Sequence, residues 1–325
     1  MRRAVRTFGP PLLGVAAMAG LLVVLDPAQV ARALTRFDLR LLPAILAMYV
    51  AWYVLQGWRW HILLREAGAR VSLTDSLLLN AAGQTITALV PLGDLTRAAF
   101  AARASDRDFG SVAATVTVQE LTYTLCLVLL ALPELLALHL GVGVVAATAA
   151  GMAAVVVILT VSPVFCVVHR LIARIPLLNR LLPAIDELQH ETAELLHRPE
   201  TLAWSVLDLA RAAAAVAAFW LLVRAVQPGA LDWWQAAFAL ALSSIGGAVS
   251  LLPGGVGANE ATVAGLLIVL GLPGGAAGAV ALLQRLLQTG VALLFGISAY
   301  LAVRRRLDLG GLFQVTARQP ARQAA

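Results

Sequence analysis

Apolar residues gather in six runs long enough to cross a bilayer: Phe8–Leu25, Leu41–Trp58, Ser111–Leu132, Gly141–His169, Thr201–Val226 and Ala276–Val303. A helix needs about 20 apolar residues for that crossing. Two further segments break the rhythm. Ser76–Leu92 is apolar but holds Asn80, Gln84, Thr85 and Thr87 and ends at Pro91 and Gly93, and Trp233–Leu272 is interrupted by Pro253-Gly254-Gly255-Val256-Gly257. Proline and clustered glycines do not continue a helix, and the backbone groups they free are not tolerated against lipid. Each break must therefore be buried in protein or line a wet cavity. The pattern predicts an all-α, polytopic membrane helix bundle of about six to eight spans, some re-entrant or broken.

Polar residues between the runs orient the bundle. The connections 134–140, 227–232 and around Pro273 lack arginine, whereas the N-terminus, 58–75, 93–110, 169–200 and the C-terminus carry it. The positive-inside bias puts the second group, and both termini, on the cytoplasmic side. One connection disagrees: 26–40, placed outside, holds Arg32, Arg36 and Arg40. Between 170 and 200 leucine and isoleucine recur at helical spacing among charged residues. That fits either an amphipathic helix on the inner leaflet or a connector packed on the bundle. Residues 1–306 read as one transmembrane domain and 307–325 as a disordered tail. Arg2, Arg3 and Arg6 before Pro11–Leu25 resemble a signal peptide, but the many spans that follow favour an uncleaved first helix.

Composition agrees with this class. Of the 325 residues 60% are hydrophobic and 13% charged, and mean hydropathy is +0.85, well outside the range of soluble chains. A net charge of +6 suggests nucleic acid only if a basic, aromatic-interleaved face exists, and none is visible; the arginines are topology signals instead. All 24 basic residues are arginine, a hint of a GC-rich bacterial genome. Cys126 and Cys166 read as small buried hydrophobes, and His61 has no second metal ligand nearby. Nothing in the chain calls for a cofactor. Trp58, Trp60, Trp233 and Trp234 read as interfacial anchors.

Ionisable residues inside spans cost about 2.5–3.5 kcal/mol each, so each needs a partner, a cavity or a function. Glu120 and Arg285 are either an ion pair or substrate contacts. Asp208 and Arg211, three apart on one helix, suit a local structural pair. A helix restarting near Ala258 aims its first N–H groups into the glycine break, which favours an anionic headgroup over a plain re-entrant turn without ligand by a small margin. Glycine richness is not a nucleotide loop here, because no Lys-Ser/Thr follows and no strand precedes. Leu89-Val-Pro-Leu-Gly-Asp-Leu-Thr-Arg97 echoes the second break, and paired interrupted segments point to an inverted repeat with a site between its halves.

These motifs carry a resemblance. Gly57-Trp58-Arg59-Trp60 with Leu63-Leu64-Arg65, Gly83-Gln84, Pro91 with Gly93-Asp94 and Arg97, Glu120, Pro253-Gly254-Gly255-Val256-Gly257 with Glu260, and Arg285 together resemble the flippase-like integral-membrane family that contains the transmembrane region of lysylphosphatidylglycerol synthases. The resemblance covers nearly the whole chain. Two departures stand out: the first motif is shorter, with Asp94 for the usual glutamate, and Leu121 follows Glu120 where arginine is usual. The resemblance implies handling of an anionic or polyprenyl-linked lipid. It also implies substrate contacts at Arg97, Arg285, Gly254, Gly255, Gly257 and Asn259, and a polar or coupling network of Asp94, Glu120, Glu260 and Gln84. The synthases' aminoacyl-transfer domain has no counterpart here, so the expectation is a bacterial inner-membrane lipid flippase and not an enzyme. The alternatives are an accessory or catalytic subunit of lipid or envelope-glycan synthesis, working with partner proteins, and a secondary transporter of a small solute.

Overall fold

The computed structural model describes residues 26–89, 94–105, 107–137, 182–249 and 256–306, with Gly20 and scattered positions between 150 and 170. Its helices are α1 (Pro27–Thr35), α2 (Leu42–Glu66), α3 (Leu73–Leu89), α4 (Asp94–Ser105), α5 (Phe109–Ala137), α6 (Leu182–His197), α7 (Pro199–Ala203), α8 (Val206–Val226), α9 (Trp233–Val249), α10 (Ala258–Val269) and α11 (Gly274–Arg306), with a 3-10 turn at Leu39–Leu41 before α2. Every described element is helical, and four stretches are long and apolar enough to cross a membrane: Leu39–Glu66, Phe109–Ala137, Pro199–Val226 and Gly274–Ala299. They coincide with four of the runs read from the pattern. The expected spans Phe8–Leu25 and Gly141–His169 lie largely or wholly outside the described residues, as do Pro253, Gly254, Gly255 and the tail 307–325.

The first irregular segment is one helix, α3, whose return arm α4 falls in 94–105, a stretch read from the sequence as a connection, and the second is a helical pair. Each hairpin is begun by a capping arrangement that takes up backbone groups left free at a helix start. Before α3, Ser72 Oγ accepts from Asp75 N (3.1 Å) and donates to the Asp75 carboxylate (2.6 Å). Before α9, Asp232 Oδ1 accepts from Gln235 N (2.9 Å), and Gln235 Oε1 accepts from Asp232 N (3.2 Å). The return arms α4 and α10 have 12 residues each, or about 18 Å at 1.5 Å per residue, which is short of a hydrocarbon core about 30 Å thick. They fold back on their partners. A Cβ at Gly246 would lie 2.9 Å from Thr262 Oγ1 and one at Gly247 3.2 Å from Asn259 Cβ, so α9 and α10 run antiparallel in close contact.

An internal repeat organises the whole. The order long helix, hairpin, long helix occurs twice, as α2, α3–α4, α5 and as α8, α9–α10, α11; the 12-residue return arms begin 164 residues apart, at Asp94 and Ala258. The same shift carries Gly83 onto Gly247, each packed against its own return arm. The first helices of the halves, α2 and α8, pack antiparallel. Asp38 N donates to Ala225 O (2.9 Å) at one end, and Arg59 Nε meets Asp208 Oδ2 (2.9 Å) towards the other. Like helices thus point in opposite directions, which makes the repeat inverted. Contacts follow the same exchange: α3 packs on α11, and α9 packs on α5.

Small side chains permit this close packing, which in lipid is driven by contact and not by water. Ala212, Ala218, Ala236, Ala237, Ala239, Ala277 and Ala279 are buried in the main apolar core, while Leu294, Phe295 and Ile297 of α11 are exposed, as a lipid-facing surface requires. Leu195 of α6 is buried with Leu63, Ala114 and Val118, so for residues 182–197 the connector packed on the bundle is the arrangement found.

Three sequence readings need correction. Trp60 is fully buried, its indole donating to Thr115 Oγ1 (2.9 Å); residues two apart on a helix face nearly opposite ways, so only Trp58 of that pair reaches the surface. Trp233 is partly buried against the Trp220 ring, at 6.2 Å between centroids, leaving Trp234 exposed. Cys126 is partly packed, but Cys166 is exposed.

Candidate functional site

The site begins at Gly83. A Cβ there would sit 2.5 Å from Arg97 Cβ, so glycine is what lets α4 lie against α3 at this level. Asp94 opens α4, and Arg97, in its first turn, is fully buried. Its Nη1 donates to Asn80 Oδ1 (2.7 Å) and Gln119 Oε1 (3.1 Å), and its Nη2 donates to Glu120 Oε1 (2.9 Å). Three amides hold these acceptors in place. Asn80 Nδ2 donates to Gln56 Oε1 (3.1 Å), Gln119 Nε2 to the Gln56 carbonyl (2.6 Å), and Gln56 Nε2 to Glu120 Oε1 (3.3 Å). The guanidinium also lies 5.4 Å from the Trp60 ring centroid.

A second guanidinium reaches the same carboxylate from the other half. Arg211 of α8 donates through Nη1 and Nη2 to Glu120 at 3.3–3.4 Å and lies 3.9 Å from the Tyr123 ring centroid and 4.5 Å from that of Trp52. Aromatic faces stabilise a desolvated cation here. Arg97 and Arg211 side chains are 0% and 1% exposed, but Glu120 is 35% exposed. The carboxylate is thus the accessible member of the cluster, at the contact between halves. Two buried guanidiniums gathered on one reachable carboxylate suit the binding of an anion that takes its place.

Next to it lies a dry ion pair. Arg59 and Asp208 are both fully buried and meet at 2.9 Å; Thr122 Oγ1 donates to Asp208 (2.7 Å), and Arg59 Nη2 donates to the Thr201 carbonyl (2.9 Å). A third cluster closes the second hairpin. Gly257, at φ +86°, adopts a backbone that L side chains rarely enter, and its N–H donates to Glu260 Oε2 (2.6 Å). Glu260 Oε1 meets Arg285 Nε at 2.9 Å, with side-chain exposures of 1% and 20%.

The expected pairings therefore change. Glu120 pairs with Arg97 and Arg211 instead of Arg285, which is held by Glu260. Asp208 and Arg211 turn to different partners, Arg59 and Glu120, because packing against α2 and α5 offers both of them interhelical contacts. Arg97 and Arg285, grouped as joint substrate contacts, sit on separate carboxylates. The helix start at Ala258 is where the break predicts it, but the Gly257 N–H is already used by Glu260. Asn259 packs on Gly247, and Gln84 is buried on α3. Gly254 and Gly255, and the side chain of Asp94, lie outside what the structure describes. Sequence reasoning missed Arg59, Gln56, Asn80 and Gln119 as network members and misassigned Arg211. Their signal was a polar residue in an apolar helix; the facing helix was what had to be known.

No curated protein matches this chain. The model of one family, described as the lysylphosphatidylglycerol synthase TM region, matches residues 12–296, which with the apolar helices and inverted hairpins makes this chain a multi-pass integral membrane protein belonging to that family.

Proposed function

We propose that this protein moves an anionic lipid, or a lipid-linked intermediate, between the leaflets of a bacterial inner membrane. The observation that carries this reading is the cluster of Arg97, Arg211 and Glu120 between the two halves, with both guanidiniums buried and the carboxylate partly open. A lipid phosphate entering there takes the place of Glu120 on the two arginines. Glu120 then swings aside, with or without a proton. The inverted halves give such a site equivalent approaches from either leaflet. The distribution of arginine supports, in this reading, a cytoplasmic position for the 66–72 and 105–108 connections and for both termini. In this reading the protein is a transporter and not an enzyme, and its ligands are membrane lipids.

The test is lipid flipping in proteoliposomes holding only the purified protein and labelled phosphatidylglycerol. Arg97→Ala should slow transport by at least about tenfold because a phosphate-binding cation is lost, and Glu120→Gln by a similar factor because the carboxylate that displaces the phosphate from the arginines is gone. Native-rate flipping by both variants, inserted and folded normally, overturns the assignment. Absence of flipping by the wild-type protein with any anionic lipid does the same.

A further inference from the structure

Two basic pockets lie at opposite ends of the bundle, outside the central cluster. The first, of about 710 Å³, is lined by His61, Arg65, Arg70, Ser72 and Arg107 among others, and the second, of about 290 Å³, by Gln29, Arg32, Arg36, Gln227 and Gly275 among others. Among the described residues neither lining contains a carboxylate. Of the neighbouring acids, Asp75 accepts from Ser72, and Asp26, which caps α1 and accepts from Gln29, also lies within electrostatic reach of Arg32. Nearly the whole of α2, which has 25 residues and is about 37 Å long, lies between Arg36 and Arg65, so the pockets stand at opposite ends of a membrane-length helix.

Their positions are equivalent in the repeat. The first sits where α2 leads into α3 and where α4 leads into α5; the second sits where α8 leads into α9 and where α10 leads into α11. In the first, the repeat supplies its own arginines, with Arg107 tied to the Gly68 carbonyl through Nε (3.2 Å) and Nη2 (3.1 Å). In the second, the connections 227–232 and 270–273 hold none, and Arg32 and Arg36 come from α1. That helix is docked closely: a Cβ on Gly275 would lie 2.8 Å from Gln29 Cβ and 3.0 Å from its carbonyl oxygen. The arginines that violate the positive-inside pattern thus stand where the repeat needs a cation. Exposed apolar side chains border both ends, Trp58, Leu73 and Phe109 at one and Leu39, Trp234 and Val269 at the other, the level at which headgroups meet acyl chains.

We infer that these pockets are a pair of docking sites for the phosphate of anionic phospholipid headgroups, one serving each leaflet. The inference does not depend on transport. Each site holds a headgroup whether or not the lipid later crosses.

Native mass spectrometry of the full chain in detergent, titrated with dioleoyl phosphatidylglycerol or dioleoyl phosphatidylcholine, tests it. Arg32→Gln/Arg36→Gln should weaken one selective phosphatidylglycerol binding event about 30-fold and spare another, with Arg65→Gln/Arg70→Gln doing the reverse. All four residues are exposed, so folding should survive. The fourfold variant should bind the two lipids alike at these sites. Both events should be present whether or not the same protein flips lipid in proteoliposomes, which separates failure here from failure of the transport reading. The inference falls if either arginine pair leaves phosphatidylglycerol binding unchanged, if the wild-type protein shows no preference over phosphatidylcholine, or if inorganic phosphate displaces the lipid as readily as excess phosphatidylglycerol does, which marks a free-anion site.

Discussion

The two halves share a scaffold and divide the chemistry unequally. Shifted by the 164 residues that separate Asp94 from Ala258, Arg97 falls on Ala261, Glu120 on Gln284, Gln119 on Leu283 and Asn80 on Ser244. The first hairpin is thus built around a charged network, and the second around close glycine packing, with the Glu260–Arg285 ion pair tied to the capping of its own return arm. Inverted symmetry explains the shape of the bundle without dictating where charge sits. Buried charge is expensive in lipid, so a single cluster shared between halves costs less than two copies. Arg211 makes the sharing literal: it belongs to the second half and serves the carboxylate of the first.

The largest effect should come from the contact that joins the halves. Asp208→Ala leaves Arg59 buried without its counterion, and breaking a buried pair in this way costs about 3–5 kcal/mol. Thermal unfolding in detergent should show a large drop in Tm. The double replacement Arg59→Leu/Asp208→Leu should recover most of it, since apolar substitution of a buried pair is often neutral. If the double variant is as unstable as the single one, the pair is not what holds α2 to α8.

Next come the glycines, which separate the hairpins. Gly83→Ala drives a methyl into Arg97 Cβ, an overpacking cost of about 1–3 kcal/mol, and displaces the guanidinium from Glu120. Both stability and lipid flipping should fall. Gly257→Ala forces a side chain into φ +86° at about 1–2 kcal/mol, so stability should fall with much less loss of flipping. Equal loss of transport in both would show that the second hairpin carries as much of the site as the first.

Sequence made the scaffold largely legible, because the signals are local. Run length marks spans, and Pro91 and Gly93 mark the end of α3. Glu120 was also legible, as an ionisable residue that lipid would not tolerate without a role, and Arg97 through the motif that carries the family resemblance. Their partners were not. Arg211 lies one turn from Asp208 along the chain, and spacing alone pairs those two; only the packing of α8 against α2 and α5 sends them to Glu120 and Arg59. Trp60 misled for the same reason. An interfacial tryptophan and a buried one differ by which side of the helix faces protein, and a helix apolar on all sides does not record that.

The smallest effect should appear at Gln284, the counterpart of Glu120. It is buried, and its Oε1 has no hydrogen-bond partner among the described residues. Replacing an unsatisfied buried polar group by an apolar one of similar size is close to neutral, so Gln284→Leu should change stability by less than about 1 kcal/mol, in either direction. Flipping should stay within about twofold of the wild-type rate, because Arg97 and Arg211 face Glu120 and not this residue. Unfolding curves and proteoliposome assays on Gln284→Leu and Glu120→Gln, prepared side by side, make the comparison direct. A Gln284 variant as impaired as the Glu120 variant would mean that the site uses both halves alike, and the division of chemistry between them would have to be abandoned.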